Sequence, residues 1–315
     1  MTARFLSMLI AAALAGGCAV PPGAGPTPVE AACPAETAGD ATRWLAAVET
    51  GQEAEALRLA AILAPASRMR PADPAYAAFF TAEGMDPAFL AAGFGHWDYQ
   101  AWSHAAFFAG LARDTVAGRA DADRALFEAV AAHLTDPDPP NPGAFWPFRI
   151  WQAGRGFCDR QAWVLAELFY QRGADVKIVY LRDPVTLESP HTITQVRHEG
   201  RAMTADPLSE IALPGVTVAQ VARDPELARR LWPDNRSWQS AITAAALWVP
   251  AYPQDYAPRN QLLQERLRAC LGTRAPRFGE DPAARLQAWP AEREGMPTAL
   301  WFYPLRLLNW EMLYG

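Results

Sequence analysis

The sequence predicts an α+β protein in which a helix that begins at a cysteine packs on an antiparallel sheet, between mainly helical N- and C-terminal regions. Three observations predict this class. Alanine-rich stretches with helical spacing fill the first part of the chain, short β-branched runs follow near the middle, and helical patterns return after Pro207. With 315 residues, 51% of them hydrophobic and 20% charged, the chain can bury a sizeable core.

The charge pattern bears on the class of partner. The formal net charge is -6, and the sequence contains no basic run. Nucleic-acid recognition normally requires a basic patch, so we expect no nucleic-acid partner.

The first eighteen residues predict an exported chain. Arg4 precedes an apolar run, Phe5 to Leu14, which ends in small residues before Cys18. This pattern is typical of a secretory signal, and it is too short to span a membrane comfortably. Its end resembles a bacterial lipobox, which predicts lipidation of Cys18 and a protein anchored by lipid in the cell envelope or periplasm. The alternative is an ordinary cleaved signal that removes Cys18.

The segments that follow predict a tether and a helical region. Residues 19–40 are rich in Pro, Ala, Gly and Thr, which favours a flexible tether. Within a helical N-terminal region at 41–143, helical spacing occurs at 41–63, 98–113 and 120–134. The proline-rich run 136–142 breaks any helix and leads into the predicted core. The aromatic residues of this region are predicted core residues: Phe79, Phe80, Trp97 and Trp102.

The predicted core spans residues 144–213. A helix begins at Cys158 and ends at Gly173, a residue that tolerates the left-handed conformation. Strands are predicted at 175–181, at 191–196 and, after a turn at 198–200, at 201–206. The C-terminal region, 214–315, is predicted to be mainly helical and to pack on this core.

Three residues in the predicted core form a candidate catalytic triad. A thiol nucleophile needs a thiolate-favouring position, such as a helix N-terminus, and a base whose orientation a third group fixes. Cys158 lies in the first turn of its helix, and the hairpin brings its two ends, His191 and Asp206, together. An oxyanion hole is predicted at the backbone N–H of Cys158, with a further donor at Gln152; Trp151 or another side chain is the alternative for this second donor.

The same segments resemble the transglutaminase-like superfamily, which has a papain-like fold. The resemblance lies in residues 156–162, 168–173 and 176–180, then in a histidine that opens a strand and in Asp206-Pro207 closing the next. It implies that Cys158 is the nucleophile, His191 the base and Asp206 the residue that orients it. In papain-like enzymes a glutamine precedes the cysteine by a similar short distance, as Gln152 does here.

The four cysteines can be assigned in one consistent way. Free thiols tend to pair in an oxidising compartment. If Cys18 is lipidated and Cys158 is a nucleophile, Cys33 and Cys270 remain to form a disulfide between the N-terminal segment and the C-terminal region. A disulfide at Cys158 is the competing possibility, and it would abolish the chemistry.

The expected function is that of a cysteine peptidase or amidase, which hydrolyses an amide bond of a peptide or protein through a thioester. The alternatives are a protein-glutamine transglutaminase and a non-catalytic module that binds a peptide or polymer on the same fold. We expect no cofactor and no metal. The histidines at 96 and 104, with Asp98 between them, have a spacing that matches no common metal site well.

Overall fold

A six-stranded sheet with helices on both faces organises the computed structural model of the chain. The structure describes residues 33–65, 92–135, 146–251, 255, 257–279 and 295–302. Cys18 and the proline-rich run 136–142 lie outside the described residues. Of the predicted aromatic core residues, Phe79 and Phe80 also lie outside them, whereas Trp102 is fully buried and Trp97 packs against the core.

Four helices form the described part of the N-terminal region, as the sequence predicts. They are α1 (Ala35–Glu49), α2 (Glu53–Leu63), α3 (His96–Val116) and α4 (Ala122–His133). The predicted helical stretch at 41–63 is interrupted at Gly51, which has a positive φ of 78°. The predicted tether is too long, because α1 already begins at Ala35, directly after Pro34. The residues that follow the proline include good helix formers such as Ala35 and Glu36.

Two helices lead into and form the centre of the core. The short α5 (Pro147–Ala153) precedes α6 (Cys158–Gln171), which begins at the predicted residue. Every residue of α6 from Arg160 to Tyr170 is buried, so the helix is central and not merely apolar on one face. It ends in a Schellman motif at Gly173, whose φ is 91°: the N–H of Ala174 donates to Phe169 O at 3.1 Å.

The sheet contains the three predicted strands and three more. Its members are β1 (Asp175–Tyr180), β2 (Thr192–His198), β3 (Arg201–Asp206), β4 (Ile211–Pro214), β5 (Ala246–Ala251) and β6 (Thr298–Phe302). The order across the sheet is β4-β3-β2-β1-β5-β6, antiparallel throughout except for the parallel pair β5–β6. The α+β prediction is therefore confirmed.

The C-terminal region differs from the prediction of a mainly helical segment that packs on a finished core. Its described residues form four α-helices, α7 (Val218–Arg223), α8 (Pro225–Leu231), α9 (Arg236–Ala241) and α10 (Pro258–Leu271), but they also supply β5 and β6 to the sheet. In β5, Pro250 weakens the sequence pattern that would otherwise predict a strand. It is tolerated because the pairing with β1 extends only from Ala246 to Trp248, so that ladder loses no hydrogen bond at Pro250.

Helices cover both faces of the central strands. On one face Ile178, Val196 and Ala205 pack in a buried cluster with α3, α4 and α6. On the other face Val179 and Ile193 pack with α7 to α9. The buried positions of these strands include the polar side chains of Lys177, Thr194 and Gln195, so their sequence signal is β-branched content and not a continuous apolar run.

The predicted disulfide is present between Cys33 and Cys270, and Cys158 is a free thiol. The bond joins the residues before α1 to the last turn of α10, and α1, α2, α3 and α10 also share a buried apolar cluster. Among the described residues, no helix has the length and apolar character that crossing a membrane requires.

Candidate active site

The segment before Cys158 is held by a close backbone approach. The N–H of Gly156 donates to Thr135 O at 3.0 Å, and the Gln161 side-chain amide donates to Gly156 O at 2.9 Å. A Cβ at position 156 would lie 2.9 Å from the Cβ of Arg160 and 3.1 Å from Cγ2 of Ile150. Only glycine therefore fits here without displacing α6.

Cys158 lies against the first residue of β2. The backbone of Thr192 lies near enough to the Cys158 sulfur to lower its pKa, and one turn further along α6 the Thr194 hydroxyl donates to Ala162 O at 2.9 Å. These two contacts align α6 with β2. They place the sulfur beside the residue that follows His191.

The environment of Cys158 favours the thiol and not the thiolate. Burial raises the pKa of Cys158 to about 11, and the carboxylate of Asp159 acts in the same direction. Backbone hydrogen bonds from Thr192 and Asp159 act the other way but do not outweigh burial. The expectation that the helix N-terminus makes Cys158 a resting thiolate is therefore corrected, because desolvation exceeds the stabilisation that the helix end provides.

His191 is buried immediately before β2 and is held on three sides. Its Nε2 lies 2.7 Å from Asp206 Oδ2. The ring stacks on half-buried Trp238, with the centroids 3.7 Å apart and the planes parallel, and it meets the ring of Trp232 nearly at a right angle. Nδ1 is buried and has no hydrogen-bond partner within the described part of the chain.

Asp206 is fully buried at the end of β3. Its Oδ2 accepts hydrogen bonds from the Trp232 indole and the Ser209 hydroxyl, both at 2.7 Å, in addition to the bond with His191. Burial acts to raise the pKa of Asp206, but the hydrogen bond and charge of His191, with those other donors, lower it below its ordinary value. Asp206 is consequently a carboxylate at neutral pH.

The hairpin brings the histidine and the aspartate together. The β2–β3 ladder pairs Thr194 with Ala205, so Asp206 lies across from the start of β2, which His191 precedes. The turn of the hairpin is formed by Glu199 and Gly200, both with positive φ, as in a type I′ turn. The geometry of the predicted Cys158, His191 and Asp206 set therefore follows from one helix end and one hairpin.

Gln152 is not at this site in the described structure. It is exposed on α5, where its Oε1 accepts a hydrogen bond from Arg149 at 3.2 Å. The predicted role of Gln152 in an oxyanion hole has no contact with Cys158 to support it. The amide of Cys158 itself is in the first turn of α6, where backbone N–H groups have no helical acceptor.

Sequence reasoning missed the residues that surround His191 and Asp206. Ser209 had a local signal, because its amide also donates to Asp206 Oδ1, at 3.3 Å, in a turn of the kind that aspartate followed by proline favours. Trp232, which directly follows α8, and Trp238 in α9 had none, because nothing in their own segments indicates which side chain they will meet.

The described residues offer no cluster of three or more metal-ligating side chains. Within the segment at 96–104, His96 pairs with Glu53 at 2.9 Å, and Asp98 accepts from Arg259 at 3.1 Å.

A cavity of about 20 Å³ lined by His104 and Glu167 lies beside α6, with room for about one water molecule. Glu167 is nine residues beyond Cys158, or about 13 Å along the helix.

No family model matches the chain, and no curated protein or solved structure matches it either. The resemblance to the transglutaminase-like superfamily stays a prediction.

Proposed function

We propose that the chain is a thiol enzyme of transglutaminase-like type that acts on amide bonds of a peptide or protein through a thioester at Cys158. One observation carries the proposal. The buried His191 donates from Nε2 to Asp206, keeps Nδ1 without a partner among the described residues, and is followed by Thr192, whose backbone contacts the Cys158 sulfur.

In this proposal His191 acts as a general base and not as half of a resting ion pair. As the Cys158 sulfur attacks the substrate carbonyl carbon, the thiol proton moves to His191 Nδ1, and Asp206 stabilises the imidazolium. The carbonyl π electrons move to oxygen, where the Cys158 amide donates a hydrogen bond. The C–N bond then breaks, the leaving amine takes the proton from Nδ1, and a thioester remains.

The thioester is resolved by a second addition. Water attacks the thioester carbonyl and gives a proton to Nδ1, the C–S bond breaks, and Cys158 leaves as a thiol that has regained that proton. An amine in place of water would give the transglutaminase reaction. We favour hydrolysis because water is abundant in an envelope compartment and no feature of the sequence marks a site for an amine.

A chromogenic acyl donor tests this proposal without a known substrate. We expect p-nitrophenyl acetate to leave an acetyl group on Cys158, detected by mass spectrometry of the peptide that contains it. Cys158→Ala should abolish this acetylation. His191→Gln should slow it on the order of 10²–10⁴-fold, the usual contribution of a positioned base.

The chain contains a matched control for the histidine variant. His198 pairs with Asp123, also at 2.7 Å, at the other end of the same hairpin. His198→Gln removes a histidine–aspartate pair of the same length but leaves Cys158 untouched, so acetylation should keep the wild-type rate. A wild-type rate in His191→Gln would show that His191 is not the base.

Adding an amine such as glycine methyl ester then separates hydrolysis from transamidation by the product formed.

The second candidate is a non-catalytic module that binds a peptide or polymer. The protonated state of the half-buried Cys158 favours this interpretation, because a thiol without a working base is a poor nucleophile. A folded wild-type protein whose Cys158 acetylates no faster than free cysteine would remove the first function and leave the binding module as the better interpretation.

We also propose that the chain is exported and held in the bacterial envelope by a lipid on Cys18. The support is the sequence of residues 1–18, an apolar run that ends in small residues and a cysteine. The disulfide between Cys33 and Cys270 fits an oxidising compartment outside the cytoplasm.

A further inference from the structure

Asp206 accepts hydrogen bonds beyond the single one that pairs it with His191. Its Oδ2 receives three donors, each at 2.7 Å, from His191 Nε2, Trp232 Nε1 and Ser209 Oγ. An indole N–H can only donate. Three donors on one oxygen stabilise the carboxylate more than the neutral acid, whose carbonyl oxygen is a weaker acceptor, and they lower the pKa of Asp206 against its burial.

The charge of Asp206 determines where His191 carries its proton. A 2.7 Å bond to an unprotonated oxygen requires a hydrogen on Nε2. Neutral imidazole has a single N–H, so Nδ1 then holds a bare lone pair. This is the nitrogen that is buried and lacks a partner within the described ranges.

We propose that Trp232 and Ser209 are positioning residues whose hydrogen bonds hold Asp206 as a carboxylate and thereby fix the His191 tautomer with its lone pair on Nδ1. The proposal rests on the function proposed above, because a bare Nδ1 is the state that can take the proton of Cys158. Neither residue contacts Cys158 in the described structure, and each acts through Asp206.

The other titratable groups near this pair lie on two neighbouring elements. Cys158, at the start of α6, interacts electrostatically with Asp206, and Asp159 in the same turn and Tyr180 at the end of β1 lie near Cys158. Trp232 and Ser209 are neutral at every pH of interest. Removing them changes the hydrogen bonds to Asp206 and leaves the surrounding charges in place.

Nitrogen chemical shifts of the histidine rings test the proposal directly. The chain has five histidines, so ¹⁵N-histidine labelling gives few signals, and His191→Gln identifies those of His191. In Cys158→Ala, whose other residues are native, we expect a protonated Nε2 and an unprotonated Nδ1 at pH 7. Trp232→Phe and Ser209→Ala should each raise, by about one pH unit, the acid transition at which Asp206 takes a proton.

Controls of the same chemical kind separate positioning from stability. Trp102→Phe removes another buried indole bond, from Trp102 to Asn260 at 2.7 Å, and Thr204→Val removes a hydroxyl bond to Val216 O on the same strand as Asp206. Both controls should leave the acid transition of Asp206 unmoved. Ser209→Thr keeps the hydroxyl, so its acid transition of Asp206 should return from the raised value of Ser209→Ala to that of the wild type.

The outcomes for this inference differ from those for the proposed function. A Trp232→Phe, Ser209→Ala double variant that is folded and has an unchanged transition and tautomer would overturn the inference, even if wild-type Cys158 acetylates rapidly. If the transition moves as expected but wild-type Cys158 does not acetylate, the inference holds for the charge and tautomer, and the proposed enzyme function fails. If the Trp232→Phe and Ser209→Ala variants raise the acid transition of Asp206 and also acetylate Cys158 more slowly, both the inference and the proposed function are supported.

Discussion

The partial burial of Cys158 favours a protonated sulfur, whereas the proposed catalysis requires the sulfur to lose its proton. A pKa of about 11 keeps the sulfur protonated at neutral pH, so reactivity depends on a base that acts during the attack. The protonated state also protects the thiol from solution oxidants, because the thiolate is the reactive form.

Asp159→Asn should lower the pKa of Cys158. The carboxylate of Asp159 opposes a negative charge on the neighbouring sulfur, so its removal should shift the pH midpoint of Cys158 alkylation downward by up to about one unit. The measurement is the rate of iodoacetamide labelling of the Cys158 peptide between pH 7 and pH 11. Asp114→Asn, at an exposed position in the last turn of α3, is the control. An unchanged or higher midpoint in Asp159→Asn would contradict the assignment.

The three candidate catalytic residues could be predicted because each lies at the end of an element with a readable pattern. Cys158 begins a helix, and His191 and Asp206 sit at the two open ends of a hairpin whose turn is evident in the sequence. Trp232 and Trp238 could not be predicted in the same way. Their contacts depend on how α8 and α9 pack over the sheet, and helical periodicity does not specify which distant side chain a residue meets.

At the scale of elements, the β2–β3 hairpin decides whether the histidine and the aspartate meet. Its register depends on a tight turn in which Glu199 has a φ of 50° and Gly200 a φ of 76°. A slip of one residue would move every side chain of one strand to the opposite face of the sheet. The turn residues are therefore linked to the site about seven residues away.

Glu199→Asn should stabilise this hairpin. Glutamate in the left-handed region costs on the order of 1 kcal/mol, whereas an Asn-Gly pair suits a type I′ turn. The urea midpoint of the variant should rise, by an amount equivalent to about 0.5–1 kcal/mol, with no change in the unfolding slope. Glu188→Asn, at an exposed position in the β1–β2 loop, is the comparison. A lower midpoint for Glu199→Asn would mean that the Glu199 side chain contributes more than its conformation costs.

The sheet itself could be predicted only in part. The hairpin and β1 are consecutive in sequence and carry β-branched residues, so their pairing follows from local patterns. Strands β5 and β6 were missed because their partners are distant, about 70 residues from β1 to β5, and because alanine and Pro250 weaken the β5 pattern. Pairing of this kind is decided by tertiary packing and not by local propensity.

At the scale of the whole molecule, the disulfide closes the chain over a separation of 237 residues. We expect the Cys33→Ser, Cys270→Ser double variant to lose about 2–4 kcal/mol of unfolding free energy, because the unfolded chain gains freedom. Urea unfolding measures this loss, and reduced wild-type protein should match the variant. Equal stability of oxidised wild type and double variant would show that the buried cluster of α1 and α10 suffices to hold these segments together.

The proposed anchor is tested by fractionation. Cys18→Ser should move the protein from the membrane fraction to the soluble periplasmic fraction, because the lipid supplies the attachment. Peptide mapping of the wild-type N-terminus is the second measurement. A wild-type protein that is already soluble and begins well after Cys18 would replace the lipoprotein proposal with an ordinary cleaved signal.

The position of the free thiol between the two bonded ones sets an order of events for an exported chain. A chain that emerges N-terminus first presents Cys33, then Cys158, and only last Cys270. The first pair that an oxidase can join is therefore the wrong one, and a thiol–disulfide exchange must release Cys158 before the native bond forms. Maturation of this protein should accordingly depend on a disulfide isomerase and not on an oxidase alone, and cells without the isomerase should accumulate a form cross-linked between Cys33 and Cys158.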